Sequence, residues 1–277
     1  MIGGEYIIDQ GYEAYTREEH DVWRTLYARQ RKLLPGRAVD EFITGMDDLG
    51  IGAEGIPDFR EINKILKQAT GWEVVAVAGL IPDLPFFDLL ARKKFPAGNF
   101  IRTREQLDYI QEPDIFHDVF GHVPLLMNQV YADHMQAYGE GGLRADKYGT
   151  IKNLARIYWY TIEFGLMETP QGLRIYGAGI VSSPGETVFA LDDLSPNRLR
   201  FDVKRIMETD YIIDDYQQVY FAIKSFEQLY TETDIDFAPL YKDLLERNAC
   251  HAVDALLPSD DILTRGTQAY AKAKKMS

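Results

Sequence analysis

Residues 112–126 read EPDIFHDVFGHVPLL, and the fold turns on how the chain passes from His117 to His122. The stretch is mostly apolar, yet two imidazoles, several acidic groups, Gly121 and Pro124 interrupt it. On a regular α-helix residues five apart stand about 140° apart, given roughly 3.6 residues per turn, so the two histidines share a face only if the helix begins or distorts here. Gly121 and Pro124 supply such an irregularity. The spacing also differs from HExxH, in which a four-residue step aligns two zinc-binding imidazoles and a glutamate acts as base. Taken alone, the pair is either two ligands of a metal ion or a core histidine beside an unrelated one.

A second stretch, Ile157 to Met167 (IYWYTIEFGLM), sharpens the choice, because Glu163 is its only charged residue. A helix apolar nearly all round belongs in the core, and a carboxylate taken there needs a cation. Arg156 lies seven residues away, two helical turns, which is long for direct contact, so an ion pair would need a partner from elsewhere. A metal shared with His117 and His122 satisfies the charge equally well. Two imidazoles and one carboxylate leave further positions open on an ion, the facial arrangement of non-haem Fe(II) oxygenases. The same donors suit zinc. His20, His134 and His251 are assigned structural or solvent-facing places.

Composition bounds the alternatives. The 277 residues are 46% hydrophobic, enough for a sizeable core, and 43 acidic against 30 basic residues give a net charge of −13, which lacks the footprint of a nucleic-acid binder. The start, MIGGEYIIDQ, has no signal-peptide pattern, and runs such as VVAVAGLI are too short to span a bilayer, so a soluble, cytoplasmic chain with no membrane contact is expected. A single cysteine, Cys250, leaves no multi-cysteine metal site, so any metal must be held by histidine and carboxylate.

Apolar spacing and breakers predict a mainly α, α+β chain: one compact domain over 1–277, with many helices and a few short strands. Thr16 to Glu19 has capping-box spacing before a helix that Pro35-Gly36 stops; a second helix, FREINKILKQAT, is closed by Gly71 and followed by a buried strand, WEVVAVAGL. A helix near FFDLLARKKF follows, then short strands at NFIRT and LRIYGAGIVSS. Tyr148–Met167, Tyr216–Tyr230 and Phe237–Leu257 are predicted helical. GAGIVS departs from the dinucleotide pattern at its last position and lacks a flanking βαβ unit, and SSPGE does not fit a nucleophile elbow, so Ser182 and Ser183 are expected to hydrogen-bond rather than attack.

EPDIFHDVFGHVPLL, IYWYTIEFGL and YGAGIVSSPGE, in that order and at these intervals, closely resemble the catalytic domain of the aromatic amino acid hydroxylases, above all its short bacterial members. The resemblance runs from about Gly79 to Phe226. It implies that His117, His122 and Glu163 hold iron, the constellation already reached from the residues. It also implies a tetrahydropterin cosubstrate, tetrahydrobiopterin or a relative, bound by Gly79, Ile81, Phe86, Phe87, Ala155 and Tyr158. For the amino acid substrate it implies Arg102 on the carboxylate, with Pro113, Trp159 and Phe164 around the ring. Ser182 and Glu186 correspond to groups that orient a ligand histidine and the substrate end.

The implied activity is hydroxylation of L-phenylalanine to L-tyrosine by Fe(II), O2 and tetrahydropterin. Trp159 narrows the pocket against indole, and Ile213 stands where tyrosine hydroxylases tend to carry Asp. A tyrosine or tryptophan hydroxylase, or a zinc hydrolase on the same three ligands, is the alternative. Departures from the animal members are Asp118 for Glu, Pro184 for a larger residue and Ile110 for Thr. No N-terminal regulatory domain or C-terminal tetramerisation helix is discernible, and the residues after Asp236 read as part of the domain, so a monomer is expected.

Overall fold

Local signals account for the first helices of the computed structural model, which describes residues 2–274. Helix α1 (Arg17–Leu33) begins where the Thr16 side chain accepts from the Glu19 N–H and the Glu19 carboxylate accepts from the Thr16 N–H, two orphan donors satisfied reciprocally. It buries Val22, Trp23 and Leu26. Helix α2 (Asp40–Asp48) follows, and α3 (Phe59–Ala69) is capped by the Asp58 carboxylate on the Arg60 N–H.

Strand β1 (Glu73–Val77) pairs in parallel with β2 (Lys94–Gly98), and α4 (Asp83–Ala91) forms the crossover between them. Here the expected pattern shifts. The helix ends before KKF, because Lys93 takes a left-handed φ of 58°, and the strand is KFPAG, whereas NFIRT is irregular. Pro96 tempts one to exclude a strand, but a two-stranded ladder is all edge, where proline is tolerated.

Next come a π-helical turn, Phe116–His122, a 3₁₀ turn, Val123–Met127, and helix α5 (Gln129–Tyr148), closed by Gly149 at φ 67°. Instead of one helix from Tyr148 to Met167 there are α6 (Ile151–Tyr158), a second π turn, Trp159–Glu163, and strand β3 (Leu166–Thr169). Strand β4 (Gly172–Ile175) takes only the front of the predicted LRIYGAGIVSS strand; AGIV forms helix α7 (Ala178–Val181), and α8 (Pro184–Asp192) follows beyond Ser183.

Strand β5 (Asn197–Arg200), helix α9 (Val203–Met207) and strand β6 (Val219–Ile223) come next. The predicted Tyr216–Tyr230 helix is therefore wrong in its first half, since VYFAI is buried on every residue and so shows neither period. Helices α10 (Phe226–Thr233) and α11 (Ala238–Arg247) follow; α11 stops short of Leu257 because Asn248 turns left-handed at φ 45°. Strand β7 (Ile262–Thr264) and α12 (Ala269–Lys274) end the described chain.

The second sheet has the order β4-β3-β6-β5-β7, parallel at β3-β6 and β6-β5 and antiparallel at both edges. One continuous apolar cluster, from Val22 and Trp23 through Phe116 and Phe120 to Tyr220 and Phe221, joins sheet and helices, so the architecture is the mainly helical α+β domain expected. Among the described residues no helix is long and apolar enough to cross a membrane.

Candidate metal and substrate site

The distortion demanded by the His117–His122 spacing is the π turn. Hydrogen bonding from i to i+5 widens the helix, and the two Nε2 atoms come to 3.3 Å of one another. The second π turn delivers the third group: Phe164 N–H bonds Trp159 O at 2.9 Å, five residues back, and Glu163 faces the imidazoles with Oε1 3.2 Å from His122 Nε2 and Oε2 3.5 Å from His117 Nε2. Donor atoms of all three lie within 4.8 Å of one another. Ligands bonded to one ion at about 2.0–2.2 Å stand about 3 Å apart, which this spacing matches.

Electrostatics point the same way. Burial alone would push the Glu163 carboxyl up, but His122 and His117 outweigh it and hold the group well below the usual carboxylate range. Burial would lower His117, but Glu163 beside it carries the imidazole up to about 9. A carboxylate enclosed this way draws positive charge to itself, and a divalent cation supplies it without protonating the ligands. The buried Nδ1 of His122 has no partner, and its Nε2 points into the cluster. The donor set, two neutral imidazoles and a carboxylate, fits divalent iron or zinc.

Supporting contacts fix the orientation. The Ser182 hydroxyl donates to Ala178 O at 2.7 Å, so its oxygen accepts from His117 Nδ1–H at 3.0 Å and leaves Nε2 free as a ligand. Fully buried Asp114 accepts from the Arg102 backbone N–H, Nε and Nη2 at 2.8–2.9 Å, and from the His117 N–H at 3.1 Å. Burial would raise the Asp114 carboxyl; Arg102 outweighs it and holds it low. Asp114 thus ties the arginine to the start of the π turn. Nothing in the sequence singles out Asp114 from its acidic neighbours. Asp118 accepts from the Gly98 N–H at 2.7 Å, and burial pushes it up to about 6.

Rings line the approach. Phe86 and Tyr158 meet edge to face at 5.6 Å, and Tyr158 lies 6.1 Å from the His122 ring. Trp159 packs 5.0 Å from Phe164 and stacks at 4.4 Å on Tyr211, a partner the sequence does not announce. Ile81, Pro113 and Ala155 are half-buried, and a Cβ on Gly79 would come to 2.7 Å from Glu112 Oε1, the end of an exposed side chain. Phe87 corrects the expected wall: 3% exposed, it packs on Tyr138 and against Gly142, on the core side of α4. Glu186 makes no hydrogen bond to the three-residue cluster; its Oε1 accepts from Tyr220 and the Gln217 N–H, and burial pushes it up to about 7. Ile213 is exposed.

Arg156, the local rival for Glu163, instead pairs with Asp210 at 2.8 Å and donates to Met207 O. The other histidines stay outside the cluster: His20 Nδ1 accepts from the Ile56 N–H, His134 is buried beside Thr233, and His251 faces Glu208.

Known proteins share this arrangement of chain. The family profile described as biopterin-dependent aromatic amino acid hydroxylase matches residues 9–258. The phenylalanine-4-hydroxylase of Caulobacter vibrioides is 61% identical over 269 residues, 97% of this chain and 91% of that one. Phenylalanine hydroxylase from Chromobacterium violaceum superposes with a TM-score of 0.90 in its iron- and phenylalanine-bound crystal structure, at 50% identity and covering 94% of each chain. Its structure with bound oxidised Fe(III) gives 0.91 at 52% identity.

Proposed function

The chain belongs to the biopterin-dependent aromatic amino acid hydroxylases, and from that premise we infer that it is an iron- and tetrahydropterin-dependent monooxygenase converting L-phenylalanine to L-tyrosine with O2. The observation that carries the assignment to this site is the convergence of His117 Nε2, His122 Nε2 and a Glu163 oxygen, all within 4.8 Å of one another. Iron and tetrahydropterin together supply the activation of O2, one oxygen atom going to the substrate ring and the other to the pterin.

The protein's share is placement. His117, His122 and Glu163 would hold the metal, supplying two imidazole nitrogens and one carboxylate. Ser182 keeps His117 in the ligating tautomer, while Glu186 on α8, accepting from the Tyr220 hydroxyl of β6, braces the substrate end of the pocket. Gly79 and Ile81 offer backbone to the pterin, and Phe86, Tyr158 and Ala155 form the wall against which a flat heterocycle lies. Arg102, held planar by Asp114 through Nε and Nη2, has its Nη1 without a protein acceptor and takes the substrate carboxylate. Pro113, Trp159 and Phe164 clasp the ring and exclude water around it. The Tyr211 face blocks lateral motion of Trp159, which favours a single six-membered ring over indole.

A zinc hydrolase on the same ligands would have only Asp118, anchored through Oδ2 on the Gly98 N–H, as a base beside His117, and would leave the wall of Phe86 and Tyr158 without a role. We place the enzyme in the cytoplasm, consistent with its single cysteine and acidic charge. The test is product formation by metal-stripped protein given Fe(II), Zn(II) or nothing, with tetrahydropterin and air. Tyrosine is expected only with Fe(II) and pterin together; tight zinc binding without tyrosine under iron would overturn the assignment.

A further inference from the structure

We propose that the cleft walled by the end of α1, β4, the end of α8 and β5 binds a small oxyanion, the phosphoryl or carboxylate group of a metabolite. The cleft has a volume of about 530 Å³, within the small-ligand range, and its lining includes Arg37, Arg174, Arg198, Asp192 and Thr264. It lies at the opposite end of α8 from Ser182, about 13 Å along the helix at roughly 1.5 Å per residue, and is separate from the metal cluster.

Charge is the first argument. The chain carries 43 acidic against 30 basic residues, yet here three guanidinium groups face one carboxylate. Arg37 takes that carboxylate, Asp192 Oδ2, through Nη2 at 2.8 Å and Nε at 3.2 Å. Arg174 donates only to the carbonyl oxygens of Gln171 and Leu173, both through Nη1, and pairs with no carboxylate among the described residues. Asp40, Glu41 and Asp48 line the neighbouring cleft on its other side, and none forms an ion pair with it.

Arg198 is the second. It is 4% exposed, and a guanidinium so placed normally has a carboxylate. Instead Nε donates to Ala190 O at 2.7 Å and Nη2 to Asp193 O at 2.8 Å and Phe189 O at 3.5 Å, closing the last carbonyls of α8. Its Nη1 has no protein acceptor. Burial, only partly offset by Tyr220, Asp193 and Asp192, holds the group below its ordinary value, as expected of a cation short of counter-charge. Thr264, opposite Arg198 in the β5-β7 ladder, adds a hydroxyl to the rim. Two guanidinium forks without carboxylates, converging on a polar cleft, suit the planar, bidentate geometry of an oxyanion.

The test is calorimetric titration of the iron-loaded protein with inorganic phosphate and, separately, with citrate, at constant ionic strength. Saturable binding, one per chain, is expected for at least one probe, weakened about tenfold or more in Arg174→Gln and lost in Thr264→Glu, which sets a carboxylate in the cleft and removes no arginine. Tighter phosphate assigns a phosphoryl ligand, tighter citrate a carboxylate. Both variants keep wild-type tyrosine formation. Absence of saturable binding for both probes, wild-type affinity in both variants, or equal competition by chloride would overturn the proposal.

Discussion

Replacing Ser182 with alanine removes a single oxygen that has two tasks, donating to Ala178 O at 2.7 Å and accepting from His117 Nδ1–H at 3.0 Å. The ring nitrogen then loses its acceptor in a buried setting, a penalty of roughly 1–3 kcal/mol. Part of that is recovered if the imidazole moves its proton to Nε2, but Nε2 is the atom facing Glu163, and the shift removes a ligand lone pair. Loss of such a supporting hydrogen bond typically weakens metal binding or activity about 10–100-fold. Anaerobic competition of the protein against a coloured chelator for Fe(II) measures it directly. The expected result is a weakening in that range for Ser182→Ala, with recovery toward wild type in Ser182→Thr, which keeps the hydroxyl. An iron affinity within about twofold of wild type in Ser182→Ala, with the fold intact, would refute the claim that this hydroxyl sets the tautomer.

Gly177→Ala puts a Cβ 2.4 Å from Glu163 O and 2.5 Å from Gly165 N, both backbone, so the turn carrying Glu163 must shift; a loss of about 1–3 kcal/mol in denaturant melts and weaker iron binding are expected. Arg102→Lys keeps the charge but not the fork held by Asp114, and should raise the KM for L-phenylalanine by about tenfold or more while leaving the pterin KM near wild type. His134 is fully buried and held neutral, its pKa lowered to about 3 by burial, so its contribution is complete above the unfolded value near 6.5 and is lost as pH falls toward 3, at up to about 1.4 kcal/mol per pH unit. Urea melts at pH 7 and pH 4.5 check this: His134→Leu should flatten the difference, and an unchanged difference would exclude His134 as its source.

Unlike the Asp58 cap before Phe59, which was not singled out, the start of the first helix was legible because the signal is local: Thr16 with Glu19 needs nothing beyond its own turn. The second sheet was not. Its strands are short and mostly buried, and VYFAI at β6 is apolar throughout, a pattern that a core helix produces equally well. What makes it a strand is a neighbour on each side, β5 from about twenty residues earlier and β3 from about fifty, both parallel. Parallel pairing is a long-range fact with no local mark. Phe87 illustrates the same limit for the site: it adjoins Phe86 in sequence, but their directions on α4 differ by one helical step, and that step sends one ring to the approach and the other into the core.

The metal cluster was legible for a different reason, and the π turns explain why. Each candidate ligand looks misplaced under ordinary helical rules: His122 is out of phase with His117, and Glu163 is an acid in an apolar helix. Both misfits vanish once the two segments are wound wider, and both windings occur here, at Phe116–His122 and Trp159–Glu163. A π turn forfeits good backbone geometry and is uncommon outside functional sites. Two of them, on segments some forty residues apart, cost stability that neither segment recovers alone. They recover it together, because only with both present do His117, His122 and Glu163 meet, and a cation bound there stabilises the folded chain by mass action. Iron should therefore protect the chain against urea to an extent that falls away in Glu163→Ala, the variant in which one winding no longer delivers a ligand.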